Sequence, residues 1–210
     1  MVTTVTYLFD PLCGWCYGAS PAIQRLGQQS ALTLQLAPTG LFASSGRTLD
    51  RAFADYAWSN DQRIEALTGQ RFTETYRTQV LGNLGGSFDS AATTLALTAT
   101  ALTSPERELE TLKMLQEARY VDGLDTSAAS VVEKRLREAG LIQAADVFAS
   151  QSHDLVIANA ARIDHAQRLM QAHGANGVPA LLITNEQGSR LLRGDALYGS
   201  FDKLLQAIAL

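Results

Sequence analysis

The sequence predicts an α/β fold in which a single sheet is interrupted by a large all-helical insertion. Three observations predict it. Apolar, β-branched runs stand only near the two ends of the chain, at Thr3–Phe9 and Ala31–Ala37 and again at residues 178–184 and 189–193. Between them, from Leu49 to His173, the pattern is helical with almost no strand signal. A segment that long cannot be a loop of a compact domain. The expected division is residues 1–48 with 174–210 for a discontinuous sheet-bearing domain, and 49–173 for an inserted helical subdomain.

The first strand, Thr3–Phe9 with Val2 leading into it, is rich in β-branched and aromatic residues. Asp10-Pro11 reads as a turn. A helix begins near Cys13 and runs to about Gln29, with Pro21 inside it, where a proline removes a hydrogen bond and usually kinks the axis. Leu32, Leu34 and Leu36 alternate as in a second strand. Strand, helix and strand so close together predict a βαβ unit with parallel strands. In the middle, Asp50–Thr68 is amphipathic, Thr73–Leu81 is a shorter helical piece, and residues 83–87 read as a loop or hinge. Asp89-Ser90 starts an Ala/Thr/Leu helix. Ser104-Pro105-Glu106 has the N-cap, N1 proline and first-turn acid of a helix start. Asp125 or Thr126 is expected to cap the next helix, which ends at Gly140. A short helix over Ala144–Ser150 and a long one over His153–His173 follow, the latter closed by Gly174. The chain then returns to a strand at Val178–Thr184, a turn at residues 185–188, a second strand at Ser189–Arg193, and a last helix capped by Ser200.

Composition excludes several function classes. Hydrophobic residues make up 46% of the 210 and charged residues 18%, which suits one globular domain carrying an insertion. The net charge of −4, with no Lys/Arg cluster, disfavours a nucleic-acid partner. No stretch has the length of a membrane span. The first basic residue is Arg25, so the N-terminus lacks the charged start of a secretory signal. The expected location is therefore the cytoplasm, where a lone cysteine pair is more often catalytic or metal-binding than structural.

That pair is Cys13-Gly14-Trp15-Cys16, at the end of a strand and the start of a helix. A helix N-terminus carries roughly half a positive charge and unpaired N–H groups, and so stabilises a thiolate. Cys13 falls at that position, and Cys16 lies about one turn later. Cys13 is expected to be exposed and nucleophilic. Cys16 is expected to be less exposed and to break the mixed disulfide that Cys13 forms. Gly14 adds no charge, so the pair is expected to be less oxidising than the strongest oxidants, which stand near about −120 mV. Trp15 at an exposed tip, extended by Tyr17, offers an apolar rim for a polypeptide substrate. A metal site is not expected: zinc needs four suitably spaced ligands, and His153, His165 and His173 are too far apart for that. Haem attachment needs His after Cys16, where Tyr17 stands. Val178-Pro179 is the second informative site. Proline at the head of a buried strand fits either a cis bond that turns the chain sharply or a trans proline at a strand edge.

These features together resemble the thioredoxin-like superfamily, and within it the DsbA-like branch. Residues 10–18, Asp-Pro-Leu-Cys-Gly-Trp-Cys-Tyr-Gly, are similar to cytoplasmic DsbA-like proteins of the protein-disulfide isomerase type. The resemblance implies a thioredoxin-like fold with a helical insertion. It puts Pro21 where the family's active-site helix kinks, and Val178 and Pro179 beside Cys13, with the Val178 backbone pairing to an extended substrate. It also exposes a departure. Many relatives keep a buried acid six residues before the nucleophilic cysteine, and here that residue is Tyr7. Asp10 is the nearest carboxylate in sequence, and its position before Pro11 favours a turn-forming role over proton transfer.

The expected function is thiol–disulfide exchange or isomerisation on protein or peptide disulfides, with no prosthetic group and with electrons from an external thiol such as glutathione or from a reductase. A rival enzyme reading is a glutathione-dependent isomerase or transferase on a small aromatic compound, since the kappa-class transferases and hydroxychromene carboxylate isomerases resemble the same architecture. These typically work with a single Ser or Cys, so the retained Cys16 argues against it. A binding or chaperone role for the helical subdomain is the third. His173 reads as a helix-end cation and Arg47 and Thr39-Gly40 as loop residues near the site.

Overall fold

A computed structural model of the chain describes residues 3–209. Val2 lies outside the described residues. Strand β1, Thr3–Phe9, is followed by helix α1, Gly14–Gly27, and strand β2, Leu32–Pro38. β1 and β2 are parallel, pairing from Thr3 with Leu32 to Phe9 with Pro38. After the helical segment come β3, Ala180–Asn185, and β4, Gly188–Arg193. β3 runs antiparallel to both β1 and β4, and the sheet order is β2-β1-β3-β4. The last helical piece before β3 ends well short of Pro179, and β3 starts only at Ala180. The expected strand start at Val178 is thus two residues early, because proline has no N–H to give to the ladder.

The inserted segment contains α2 at Arg51–Thr68, α3 at Glu74–Tyr76 running into a π-helical turn at Arg77–Leu81, and α4 at Ala91–Thr103. It continues with α5 at Glu108–Tyr120, α6 at Ala129–Glu138, α7 at Ile142–Ser150 and α8 at His153–His173. A 3₁₀ turn, Gly194–Tyr198, and α9, Phe201–Ala209, close the chain. Two expected caps are displaced. Ser104 makes no side-chain cap bond, and Pro105–Arg107 forms a 3₁₀ turn ahead of α5. Ala128 stands at the N-cap of α6, because the Asp125 carboxylate is taken by Ser127 N–H in a turn of its own. Asp50 and Ser152 do cap α2 and α8 through their side chains.

Period-2 alternation sorts β1 between two cores. Val5, Tyr7 and Phe9 face a large core shared with Ile23 and Leu26 of α1, Leu112 and Leu115 of α5, and Leu204 and Ile208 of α9. Leu8 faces the other way, against Ala37, Ala180 and Ala166 of α8. α8 therefore covers the second face of the sheet. Arg162 of α8 fixes it there: the guanidinium donates to Leu36 O at 3.3 Å and pairs with the buried Glu108 carboxylate of α5. A third core, Tyr17, Ile64, Phe72, Tyr76, Phe88 and Tyr120 among others, joins α1 to α2, α3 and α5. α4 tolerates its buried threonines because their hydroxyls bond carbonyls one turn back, as Thr94 does to Ser90 and Thr100 to Ala96.

Candidate active site

The turn that delivers the cysteines is built by Asp10. Its Oδ1 accepts Leu12 N–H at 2.9 Å, and its carbonyl accepts Cys13 N–H at 3.1 Å. Tyr120 of α5 donates its hydroxyl to Leu12 O at 2.8 Å, pinning the same turn from the helical segment. Cys13 is the N-cap of α1, with extended backbone, and its carbonyl takes Tyr17 N–H. α1 runs on through Pro21, which lies on its exposed side.

Both cysteines are free thiols. Cys13 is 8% exposed and Cys16 only 1%, so the expected order holds but Cys13 is far less open than expected. The reason is tertiary: α2 and the Val178-Pro179 loop close over it. The Cys13 thiol donates to Val178 O at 3.7 Å, and the Val178–Pro179 peptide is cis. Gly194 fits beneath this loop, since a Cβ there would stand 2.2 Å from Pro179 O. Burial pushes the Cys16 thiol well up, and the neighbouring Cys13 adds to the effect. Burial thus favours the protonated form of Cys16.

The other predicted residues divide. Trp15 is half-buried rather than at an exposed tip: its ring packs against Tyr198 at 5.3 Å, and Tyr198 OH donates to Trp15 O at 3.0 Å. Tyr17 is not on a rim at all. It points into the helical core, stacked on Tyr120 at 4.9 Å and edge-on to Phe72, because a residue one turn into α1 on that side faces α2 and α5. Gly14 lies against α2, where a Cβ would meet Asp61 Oδ1 at 2.6 Å. Tyr7, in the place of the relatives' acid, donates its hydroxyl to Cys16 O at 3.2 Å. Burial raises Tyr7 well above its ordinary value, so it stays neutral and is no base. Asp10 is fully buried. Its Oδ2 also accepts Phe42 N–H at 3.0 Å and Ser90 Oγ–H at 2.8 Å, so the turn role is joined by a wider anchoring one. Burial raises Asp10 and these three donors oppose the rise.

Sequence reasoning missed Ser90, Tyr120, Tyr198 and Asp61. It read Ser90 as a helix start alone. Asp61 had a signal: it shares the buried stripe of α2 with Ala54 and Ile64, a polar residue at an apolar position. Beside Cys13 lies a mostly apolar cavity of about 200 Å³, walled by Trp15, Phe42, Phe53, Tyr56, Asp61 and Phe88. Arg47 stands outside it, stacked over Phe53, and Thr39 is tied back to Phe9 O. Among the described residues, no three His, Cys, Asp or Glu side chains gather to hold a metal ion. Nor is any described helix long and apolar enough to cross a membrane.

A family model for the DSBA-like thioredoxin domain matches residues 4–207. The chain belongs to that family. It is a thiol–disulfide oxidoreductase of the DsbA-like type, with a thioredoxin fold split by a helical insertion. Among solved structures it is similar to the cytosolic disulfide reductase DsbM from Pseudomonas aeruginosa, at 29% identity and a TM-score of 0.85 over 97% of each chain. The same reductase with GSH matches at 30% identity and a TM-score of 0.84, over 99% of this chain and 100% of that one. A protein from Nitrosomonas europaea shares the fold at 23% identity and a TM-score of 0.79, over 99% of each chain. No curated protein matches the sequence.

Proposed function

We propose that this DsbA-like chain reduces protein or peptide disulfides in the cytoplasm through its Cys-Gly-Trp-Cys dithiol. The observation that carries the reading is the asymmetry of the pair. Cys13 caps α1 between the Val178 carbonyl and an apolar cavity, and Cys16 is sealed one turn behind it. The Cys13 thiolate attacks a substrate disulfide, forming a mixed disulfide and releasing one substrate thiol. Cys16 then attacks the Cys13 sulfur and releases the second. The resulting Cys13–Cys16 disulfide is returned to the dithiol by two equivalents of an external thiol or by a reductase. Glutathione is the thiol favoured, since a solved structure of the 30% identical DsbM carries GSH. An extended substrate segment pairs with the Val178 backbone in the manner of an added strand, with Trp15 alongside. The retained, buried Cys16 speaks against the glutathione-dependent isomerase reading, in which one nucleophile suffices.

The test is dithiol-dependent reduction of insulin by the wild type and by Cys13→Ser. Loss of the enzyme-dependent rate in the variant is expected, and equal rates for the two would overturn the assignment. The reduction potential of the pair decides direction. A value near the glutathione pool, about −220 to −260 mV by extraction, supports a reductase, and one near about −120 mV makes it an oxidant.

A further inference from the structure

Asp61 is the carboxyl that the scheme above leaves unused. It stands on α2, is 5% exposed, and lines the cavity that also holds Cys13. Its Oδ1 faces Gly14, the residue next to the nucleophile. A Cβ on Gly14 would come within 2.6 Å of that oxygen, so glycine is what lets the carboxyl reach the active-site turn. Its Oδ2 accepts the Tyr76 hydroxyl at 3.0 Å. Behind Tyr76 stands Arg119 of α5, 1% exposed, its guanidinium 5.9 Å from the Tyr76 ring centre. Among the described residues the Arg119 guanidinium makes no hydrogen bond within ordinary distance, and its one ion pair, to Asp125, is long at 3.8 Å. Its charge also bears on Asp61, favouring the carboxylate. The other titratable groups lining this cavity are Tyr56 of α2, Tyr120 of α5 and Cys13 at the head of α1.

We infer that Asp61, supplied by the inserted helices, is the proton-exchanging group of the first half-reaction: it takes the Cys13 thiol proton across the cavity and returns it to the sulfur leaving the substrate disulfide. This rests on the oxidoreductase reading. The step balances without a further reactant. The Cys13 S–H bond and the substrate S–S bond break, and a Cys13–substrate S–S bond and a substrate S–H bond form. Asp61 is a carboxylate before and after. A cavity of about 200 Å³ admits the water needed to carry the proton, water occupying about 30 Å³ per molecule. The neighbouring candidates do not serve. Tyr7 holds its proton, and the Asp10 carboxylate is committed to three donors around its own turn. Burial pushes Asp61 up to about 7, with the Tyr76 bond and the Arg119 charge pulling the other way. A group that titrates near the working pH can both accept and return a proton.

The test is the pH profile of Cys13 alkylation by iodoacetamide and of insulin reduction, for the wild type, Asp61→Asn and Tyr76→Phe, with a carbon-13 NMR titration of the wild-type carboxyls. The wild-type profiles are expected to bend near neutral pH. Asp61→Asn should lose that bend and reduce insulin roughly tenfold or more slowly at neutral pH. Tyr76→Phe should keep the bend and move it to higher pH, which a merely structural role would not do. Superimposable profiles for wild type and Asp61→Asn would overturn the inference. So would an NMR titration with every carboxyl in the ordinary acidic range, a result that stands even where the Asn variant does not fold. Failure of the oxidoreductase reading has a different signature: no Cys13-dependent insulin reduction by the wild type, whatever Asp61 does in alkylation and NMR.

Discussion

Ser90 shows how a single side chain reaches the active site from a distance in sequence. It lies eighty positions from Asp10, yet its hydroxyl donates to the Asp10 carboxylate, which in turn holds the turn before Cys13. A hydrogen bond to a charged group contributes about 1.5–3 kcal/mol, and losing the donor leaves a buried acceptor short of a partner. Ser90→Ala is predicted to lower stability by that amount, read as a shift of the urea midpoint at unchanged slope. The cysteine pair itself was legible, because its chemistry depends on a local pattern of strand, turn and helix start. Ser90 and Tyr198 were not, and Asp61 showed only as a polar residue within the apolar stripe of α2. A lone polar residue in a helix or turn looks solvated until the element that buries it is known. Trp15 and Tyr17 were misread for the same reason: which side of α1 meets α2 is not written in residues 13–18.

At the scale of elements, the seam between α1 and α2 decides how closed the site is. Gly14 and Gly18 sit one turn apart on the face of α1 that meets α2, where a Cβ at Gly18 would stand 2.5 Å from Ile64 Cγ2. Adding a methylene to a filled site costs about 1–3 kcal/mol, more than the helix propensity of about 1 kcal/mol that replacing glycine regains. Gly18→Val adds three carbons and a β-branched side chain. It is predicted to push α2 away, with faster amide exchange along α2 and unchanged protection in β1 and β3. Most elements were legible at this scale, since period and capping are local signals. Where boundaries moved, a competing partner explains it: Asp125 spends its carboxylate on Ser127, and Pro179 has no N–H for the ladder.

For the whole molecule, several acids are buried within a chain of modest net charge. Burial raises Asp61 from 3.8 to about 7, and it raises Asp10 and Glu108 as well. An acid whose folded value stands above its unfolded one holds its proton more tightly when folded. Its contribution is therefore full below the unfolded value and is lost as pH rises through the folded one. For Asp61 that window runs from about 4 to about 7, with a slope of up to about 1.4 kcal/mol per pH unit for one proton. Urea midpoints are predicted to fall across this range in the wild type. Asp61→Asn should fall less steeply, and an identical slope in the two would refute the assignment of the proton to Asp61.

The sequence by itself determined the division into sheet-forming ends and a helical middle, the placing of Cys13 at a helix N-terminus with Cys16 a turn behind, and the return of a strand beside Pro179. These are short-range consequences of hydrophobic period, capping and turn chemistry. Only the tertiary structure decided how the ends and the middle meet. It closed α2 over Cys13, turned Tyr17 inward, set α8 on the second face of the sheet, and brought Asp61 against Gly14 with Tyr76 and Arg119 behind it. Those facts depend on which face of each helix finds which neighbour, and that choice is made by packing across long separations in the chain.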